Sequence, residues 1–230
     1  TVGAANLTTI NNLVGSETLT FSGSGTIASA NVGTGKSITN GSLALVDGTG
    51  LASNYNLTTG TFDITKRWVN FSGSRVYDAT TTVSNSDLTM ANLVSGENLS
   101  ASGSGTISSA AIGAGKNVSV GTLALADGSG LASNYTIGTL SINITQRSVT
   151  LSGTKIYDGS TTVSNSDISA INNLAGGETL SITGSGSITS AEVGSSKTLT
   201  LNTLALADNT GTASNYSLAS GTFDVTARPV

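Results

Sequence analysis

The sequence LALVDGTGLASNY, residues 43–55, occurs three times in the chain with small changes. It returns as LALADGSGLASNY at residues 123–135 and as LALADNTGTASNY at residues 204–216. The closing tyrosines, Tyr55, Tyr135 and Tyr216, are therefore 80 and 81 residues apart. A fixed period of this size indicates tandem modules that share one fold.

Other residues fall into the same register. Three glutamates, three lysines and three arginines recur at equivalent positions: Glu17, Glu97 and Glu178; Lys36, Lys116 and Lys197; Arg67, Arg147 and Arg228. We place the modules at residues 1–67, 68–147 and 148–230. The first module lacks the opening strand and the Tyr-Asp segment of the other two, so we expect the chain to be a piece of a longer protein.

Short runs of alternating polar and apolar residues predict an all-β fold. The runs lie at residues 61–65, 68–71, 117–120, 141–145, 148–151, 198–201 and 222–226. We expect five to seven strands in each module, arranged as a small antiparallel β-sandwich or a β-grasp-like sheet. Because no Gly or Pro linker separates Arg67 from Trp68 or Arg147 from Ser148, we expect the modules to form a stiff, extended rod.

One segment of the second module predicts a helix instead. Residues Ser86–Leu93 begin with serine and aspartate, which can cap a helix, and predict a short α-helix or 3₁₀ turn. The second module is also one residue shorter than the others near Leu88–Leu93. We expect that difference to lie in a loop.

The composition excludes several classes of function. Only 10% of residues are charged, the net charge is −4, and the chain contains neither cysteine nor histidine. Without a basic patch we expect no nucleic-acid partner. Without an apolar run of about 20 residues we expect no membrane insertion. The commonest general base and the thiolate nucleophile are missing, so we expect neither enzyme activity nor a required cofactor.

The aspartates that open the Asp-Gly-Thr-Gly-like loops are candidate calcium ligands: Asp47, Asp127 and Asp208. Carboxylate and loop carbonyl oxygens suit calcium, and Asp63 and Asp224 could add further oxygens, with Asn143 in the second module. The alternative is a turn in which each aspartate bonds to its own backbone. We favour the turn, because one carboxylate in a loop falls short of the about six to eight oxygens that calcium takes.

The tyrosines carry a second set of hypotheses. Each Asn-Tyr pair could bind a sugar, with the ring stacking on the sugar and the amide bonding to its hydroxyls. Alternatively its tyrosine, Tyr55, Tyr135 or Tyr216, could anchor the start of a strand. The threefold repetition favours the anchor. We interpret the tyrosines of the Tyr-Asp segments as lying at the edge of the core, with each aspartate holding a turn: Tyr77 and Asp78, and Tyr157, Asp158 and Gly159.

The recurring lysines Lys36, Lys116 and Lys197 could form intramolecular isopeptide bonds to Asn or Asp. That chemistry needs a buried lysine, an amide or carboxyl partner and a nearby acid. The alternative, which we favour, is a Gly-x-x-Lys hairpin with a solvated lysine.

The sequence LSGTKIYDGSTT, residues 151–162, resembles the YDG repeats of very large bacterial surface adhesins, which include filamentous-haemagglutinin-like and two-partner-secreted proteins. Later elements of the module fit the same pattern: Val193-Gly194 with Lys197, Asn215-Tyr216, and the closing Val225-Thr226-x-Arg228. The second module has Ala79 where the pattern has glycine. Alanine would be strained there if the turn required a positive φ.

This resemblance implies an extracellular stalk or spacer at the bacterial cell surface, supporting cell adhesion or biofilm formation. Its partners would be the neighbouring repeat modules of the same chain. One alternative is direct binding of a host or biofilm glycan or protein through the loops. Another is an ice-binding surface, suggested by Thr-x-Thr pairs, which the long period disfavours.

Overall fold

The computed structural model describes all 230 residues and is built almost entirely of β-strands, so the predicted all-β class is confirmed. The chain divides into two compact units. One contains Thr1–Trp68 with Val94–Leu99 and Asp127–Thr136, and the other contains Val69–Leu93, Ser100–Ala126 and Ile137–Val230. None of the helices is long and apolar enough to cross a membrane.

The first repeat holds short antiparallel strand pairs. Its strands are β1 (Val2–Gly3), β2 (Leu19–Ser22), β3 (Ser24–Gly25), β4 (Gly33–Ser37), β5 (Ala44–Asp47) and β6 (Thr61–Ile64). Strand β1 pairs with β3, β2 with β5, and β4 with β6. Two 3₁₀ turns, Ala4–Asn6 and Ala52–Asn54, complete the repeat.

The second repeat adds a long opening strand and a long closing strand. Its strands are β7 (Arg67–Val76), β8 (Thr82–Ser84), β9 (Leu88–Ala91), β10 (Leu99–Ser102), β11 (Ser104–Thr106), β12 (Gly113–Asn117), β13 (Ala124–Asp127) and β14 (Tyr135–Thr145). Four of them form a sheet in the order β12-β14-β7-β9, and β8 pairs with β11 and β10 with β13. Its 3₁₀ turns are Asn85–Asp87 and Ala132–Asn134.

The third repeat has the most complete sheet. Its strands are β15 (Arg147–Ile156), β16 (Thr162–Ser164), β17 (Ile168–Asn172), β18 (Ser181–Thr183), β19 (Ser185–Ile188), β20 (Gly194–Thr200), β21 (Ala205–Ala207) and β22 (Tyr216–Thr226). Six of them form one sheet, in the order β16-β19-β20-β22-β15-β17. Its 3₁₀ turns are Asn165–Asp167 and Ala213–Asn215. Eight strands exceed the predicted five to seven, because several are only three or four residues long.

The sheet of the third repeat is mixed, which does not fit the predicted antiparallel β-sandwich and leaves the predicted β-grasp-like sheet. Strands β15 and β22 run parallel, in a register from Arg147 beside Tyr216 to Ile156 beside Thr226. Parallel neighbours need a long connection, and here the rest of the repeat provides it. The first and last strands of the repeat therefore lie side by side in the middle of the sheet.

The core of the third repeat follows from alternation along these strands. Leu151, Leu199 and Phe223 are completely buried, while Thr198 and Thr200 on either side of Leu199 are exposed. Side chains of this size contribute about 1.5–3 kcal/mol each when fully buried. The same cluster contains Val163, Ile188, Leu204 and Val225.

The helix predicted for Ser86–Leu93 is wrong beyond its first residues. Only Asn85–Asp87 forms a 3₁₀ turn, and Leu88–Ala91 is strand β9. Met90 pairs with Phe71, and Leu88 with Gly73, in the sheet. The segment alternates half-buried and exposed residues, so pairing with β7 prevails over its weak helical signal.

The one-residue length difference lies within a strand, and the predicted loop position is wrong. Strands β7 and β9 pair without interruption from Asn70 to Gly73. In the third repeat the pairing jumps from Ser152 beside Ala170 to Gly153 beside Ile168, which leaves Ser169 unpaired. A β-bulge therefore accommodates the extra residue.

Candidate functional site

The side chain of Tyr77, in the second repeat, contacts the third repeat. It follows β7 directly, and its N–H donates to the carbonyl of Thr145 at 2.9 Å, which holds its backbone against β14. Its hydroxyl donates to Oε1 of Glu178 in the third repeat at 2.7 Å. Only 4% of Tyr77 is exposed. The ring is thus buried at the junction of two repeats.

Tyr216 forms the other wall of this site. Its hydroxyl donates to Oε2 of Glu178 and accepts the N–H of Ala175 at 3.2 Å. The rings of Tyr77 and Tyr216 meet edge to face, with centroids 5.4 Å apart and an interplanar angle of 80°. We call Glu178 with Tyr216 the socket, and the socket filled by Tyr77 the tyrosine junction.

The electrostatics of the tyrosine junction keep both phenols neutral. Burial, the hydrogen bond to Glu178 and the charge of that carboxylate raise the pKa of Tyr77 to about 12. Burial, followed by the hydrogen bond to Glu178, also raises the pKa of Tyr216. One carboxylate thus accepts two neutral hydroxyl donors, and hydrogen bonds to a charged acceptor are stronger than neutral ones. This arrangement is suited to cohesion between repeats.

The other two repeats contain the same socket. The hydroxyl of Tyr55 donates to Glu17, and that of Tyr135 donates to Glu97. Each hydroxyl also accepts a backbone N–H at 3.1 Å, from Val14 or Val94. The three Glu–Tyr pairs share a separation of 38 residues. The alignment of the repeats places these glutamates at equivalent positions, but it does not show that each of them binds a tyrosine hydroxyl.

Tyr157 shows the same segment without a socket around it. Its N–H donates to the carbonyl of Thr226 at 2.9 Å, as Tyr77 does to Thr145. Its side chain, however, is 36% exposed. The expected position at the edge of the core is wrong for Tyr77, which is buried between repeats, whereas Tyr157 is partly exposed, as a residue at the edge of the core would be.

The Tyr-Asp turns have one conformation in both repeats. Oδ1 of Asp78 accepts the N–H of Thr80, and Oδ1 of Asp158 accepts the N–H of Ser160, each at 2.9 Å. The residue after each aspartate has a positive φ, 64° at Ala79 and 76° at Gly159. The turn therefore requires the left-handed conformation, and Ala79 adopts it with steric strain.

A basic residue two positions before each tyrosine supports the turn. Nη2 of Arg75 donates to the carbonyl of Thr80 at 2.6 Å and lies 3.3 Å from Oδ1 of Asp78. Lys155 is 92% buried, and its Nζ lies 3.0 Å from Oδ1 of Asp158. The backbone N–H of Ser160, followed by the Lys155 ammonium, lowers the pKa of Asp158. Sequence reasoning missed both cations, although their shared offset from the tyrosine was a usable signal.

The asparagine of each Asn-Tyr pair contacts the preceding repeat. Oδ1 of Asn134 accepts the N–H of Val32 at 2.9 Å, and its Nδ2 donates to Oδ1 of Asn31 at 3.0 Å. Oδ1 of Asn215 accepts the N–H of Ile112 at 3.1 Å, and Asn215 is buried. The anchor hypothesis that we favour gives a role only to the tyrosine of this pair. The asparagine holds a loop of the repeat before it.

Arg147 contacts the tyrosine junction through the backbone carbonyl of Tyr77. Its Nε donates to the carbonyl of Asn173 at 2.6 Å, and its Nη2 donates to Oδ1 of the same residue at 2.7 Å. Its Nη1 donates to the carbonyl of Tyr77 at 3.4 Å. Only Gln146 separates β14 from β15, and its Nε2 donates to the carbonyl of Tyr216 at 3.1 Å. The second and third repeats are joined without a flexible linker.

The three candidate calcium ligands all bind backbone amides. Each aspartate accepts the N–H five residues further on, at 2.6–2.7 Å: Asp47 from Ala52, Asp127 from Ala132 and Asp208 from Ala213. The residues proposed to help them serve another turn, since Asp63, Asn143 and Asp224 accept the N–H of Gly35, Gly115 and Ser196. The chain contains no cluster of three or more Asp, Glu, His or Cys side chains placed to hold a metal.

The remaining sequence candidates have more ordinary surroundings. Lys36, Lys116 and Lys197 are half-buried, so they are less solvated than we expected. Nζ of Lys116 donates to the carbonyl of Ala111 at 2.8 Å. The rings of Tyr135 and Tyr216 are buried and offer no face for a sugar, while Tyr55 is half-buried.

Comparison with known proteins agrees with the repeat structure. The YDG domain family matches the chain three times, at residues 1–62, 65–142 and 139–223. No curated protein and no solved structure matches it. Three matches in succession cover nearly all of the sequence, and each contains one socket. The chain is a tandem array of repeats that belongs to the YDG domain family.

Proposed function

We propose that this chain is a structural spacer segment of a secreted bacterial cell-surface adhesin. Such a spacer projects a binding region away from the cell and supports adhesion or biofilm formation. Its mechanism is mechanical, because the second and third repeats hold each other through a buried contact. The spacer lies outside the cell and carries out no catalytic step.

The tyrosine junction is the observation that supports this proposal. Tyr77 is buried against Glu178 and Tyr216 of the next repeat, and only one residue separates the strands on either side. A short connection limits bending, and the buried ring opposes separation of the repeats. A repeat that served only as a carrier for binding loops would not need such a contact.

The stiffness of the tyrosine junction can be measured directly. Because the chain has no cysteine, spin labels can be attached at Ser108→Cys and Thr189→Cys, two exposed and equivalent positions in the second and third repeats. Pulsed electron paramagnetic resonance is expected to give a narrow distance distribution. The same labels on a Tyr77→Ala background are expected to give a broader one, since the ring no longer fills the socket.

A Tyr157→Ala variant is the matched control, because that tyrosine occupies no socket and its loss should leave the distribution unchanged. Equal breadth with and without the Tyr77 ring would contradict the spacer mechanism. A glycan array probed with the same chain separates the alternative function. Saturable binding to one glycan would favour a direct adhesion module.

A further inference from the structure

The two rings of the tyrosine junction are close enough to react with each other. Their centroids are 5.4 Å apart, and the rings meet edge to face. Both residues are buried, with 4% of Tyr77 and 3% of Tyr216 exposed. The chain contains five tyrosines, and no other two of them are in ring contact. A reaction between neighbouring phenols is therefore favoured at this one place.

The hydroxyls of the pair converge on a single carboxylate. The hydroxyl of Tyr77 donates to Oε1 of Glu178 at 2.7 Å, and the hydroxyl of Tyr216 donates to Oε2 of the same side chain. The ring carbons beside each hydroxyl, the ortho carbons, are therefore held at the same end of the pair. Two phenoxyl radicals join at these carbons. Holding them together removes most of the entropic cost of their meeting.

The same carboxylate supplies the base that the oxidation of a phenol requires. A phenol that has lost one electron becomes strongly acidic, and its proton passes to a hydrogen-bonded acceptor. Glu178 accepts a hydrogen bond from each of the two phenols. It is half-buried, so it can pass protons on to water. Electron loss from either ring therefore has a proton acceptor already in place.

The other three tyrosines lack one or both of these features. Tyr157 is 36% exposed and has no second tyrosine against its ring, so a radical formed there has no partner within the chain. Tyr55 and Tyr135 each donate to a socket glutamate, but neither meets a second tyrosine. The tyrosine junction alone combines ring contact with a shared base.

We propose that Tyr77 and Tyr216 form a dityrosine cross-link when the protein meets a one-electron oxidant, such as the radicals generated from peroxide. Each ring gives one electron to the oxidant and its phenolic proton to Glu178, which leaves two phenoxyl radicals. The radicals join through a new bond between ortho carbons, and the hydrogen on each joined carbon then moves to the phenol oxygen. In total the two tyrosines lose two electrons and two protons, and two equivalents of oxidant are reduced.

The product joins the second and third repeats by a carbon–carbon bond, where hydrogen bonds and burial held them before. Because the link closes a long loop of chain, it restricts the unfolded state as a disulfide does and stabilises the folded one. This modification does not depend on the spacer role. It requires only the ring contact, the shared carboxylate and the oxidant.

Brief illumination of the full chain with tris(bipyridyl)ruthenium(II) and persulfate tests the proposal. The expected product is a monomer that is lighter by two hydrogen atoms and shows dityrosine fluorescence. The five tyrosines lie in five different tryptic peptides, so mass spectrometry identifies the linked pair. The cross-link is expected to join residues 76–116 to residues 198–230, in a yield that does not change when the protein is diluted.

Three variants separate the contributions of the side chains. Tyr77→Phe keeps the ring and removes the phenol, so this variant should not form the cross-link. Tyr157→Phe is the matched control and should form it in the same yield as the parent chain. Glu178→Gln keeps a hydrogen-bond acceptor but removes the base, so coupling should slow several-fold. Circular dichroism shows whether each variant has kept its fold.

Oxidation of the exposed Tyr157 without a link between Tyr77 and Tyr216 would overturn the proposal. A monomer with the dityrosine mass from Tyr77→Phe would also overturn it. So would a yield that falls on dilution, because coupling would then join separate chains. Coupling of Glu178→Gln at the rate of the parent chain would overturn the role assigned to the carboxylate.

Discussion

The turn after each Tyr-Asp segment offers a test of a single residue. Ala79 has a φ of 64°, a conformation that costs alanine about 1–2 kcal/mol, whereas Gly159 adopts it freely at the equivalent position. Ala79→Gly is expected to raise the free energy of unfolding by about 0.5–1 kcal/mol, after the greater entropy of glycine in the unfolded chain is subtracted. Urea unfolding followed by circular dichroism measures the change.

The reverse substitution at the equivalent turn is the matched control. A Cβ on Gly159 would meet no atom within 4 Å, so Gly159→Ala changes backbone strain and almost nothing else. It should lower the free energy of unfolding by about 1 kcal/mol. If both variants had the stability of the parent chain, the positive φ would not be a source of strain.

The raised pKa of Tyr77 predicts that the folded chain loses stability at alkaline pH. Its pKa is raised to about 12 in the folded chain, against about 10 when unfolded, so the folded state favours the neutral phenol. That contribution is complete below pH 10 and is lost as the pH rises towards 12. Tyr216, whose pKa is also raised, acts in the same direction, and the groups facing Tyr77 are Glu178 and Arg147.

Tyr77→Phe isolates this contribution. The variant should be less stable than the parent by about 1.5–3 kcal/mol at pH 7, because a hydrogen bond to a charged group is lost. The difference should then shrink between pH 10 and 12, measured as urea midpoints at each pH. A difference that stayed constant to pH 12 would mean that the phenol does not titrate in this range.

At the scale of elements, the local sequence pattern predicts most strands correctly. It fails where pairing with a distant segment determines the structure. Runs such as residues 141–145 and 222–226 lie within strands β14 and β22, because alternation alone reports a half-buried strand. The helix prediction for Ser86–Leu93 is wrong because β7, the strand that pairs with this segment, lies earlier in the chain and is not part of the local pattern. The parallel pairing of β15 with β22 joins residues about 70 apart, which no local pattern encodes.

The candidate site was predictable only in part, for a related reason. Threefold repetition identified Tyr55, Tyr135 and Tyr216, and it aligned the glutamates that receive their hydroxyls. Recurrence in every module indicates that a residue is important, but it does not show in which module the contact partner of that residue lies. The contacts of Tyr77 and Asn215 with a neighbouring repeat therefore required the structure.

At the scale of the molecule, exposure of equivalent residues depends on whether another repeat lies against them. Tyr77 is 4% exposed and Tyr157 is 36% exposed, although their backbones are held in the same way. Ile112 is half-buried beside Asn215, whereas its counterpart Val193 is 55% exposed. Tyr157 and the loop that contains Val193 therefore form one surface, which a following repeat would cover.

An additional repeat should complete that surface. In a variant in which a second copy of residues 148–228 follows Arg228, the added Glu–Tyr socket is expected to bury Tyr157, and the added asparagine should accept the N–H of Val193. Nitration of Tyr157 by tetranitromethane, followed by mass spectrometry, should slow several-fold, and amide exchange at Val193 should slow with it. The same extension with alanine in place of the socket glutamate is the control, and it should protect Tyr157 less. Nitration at the rate of the parent chain in both variants would mean that the junction between the second and third repeats is not a general rule of stacking in this array.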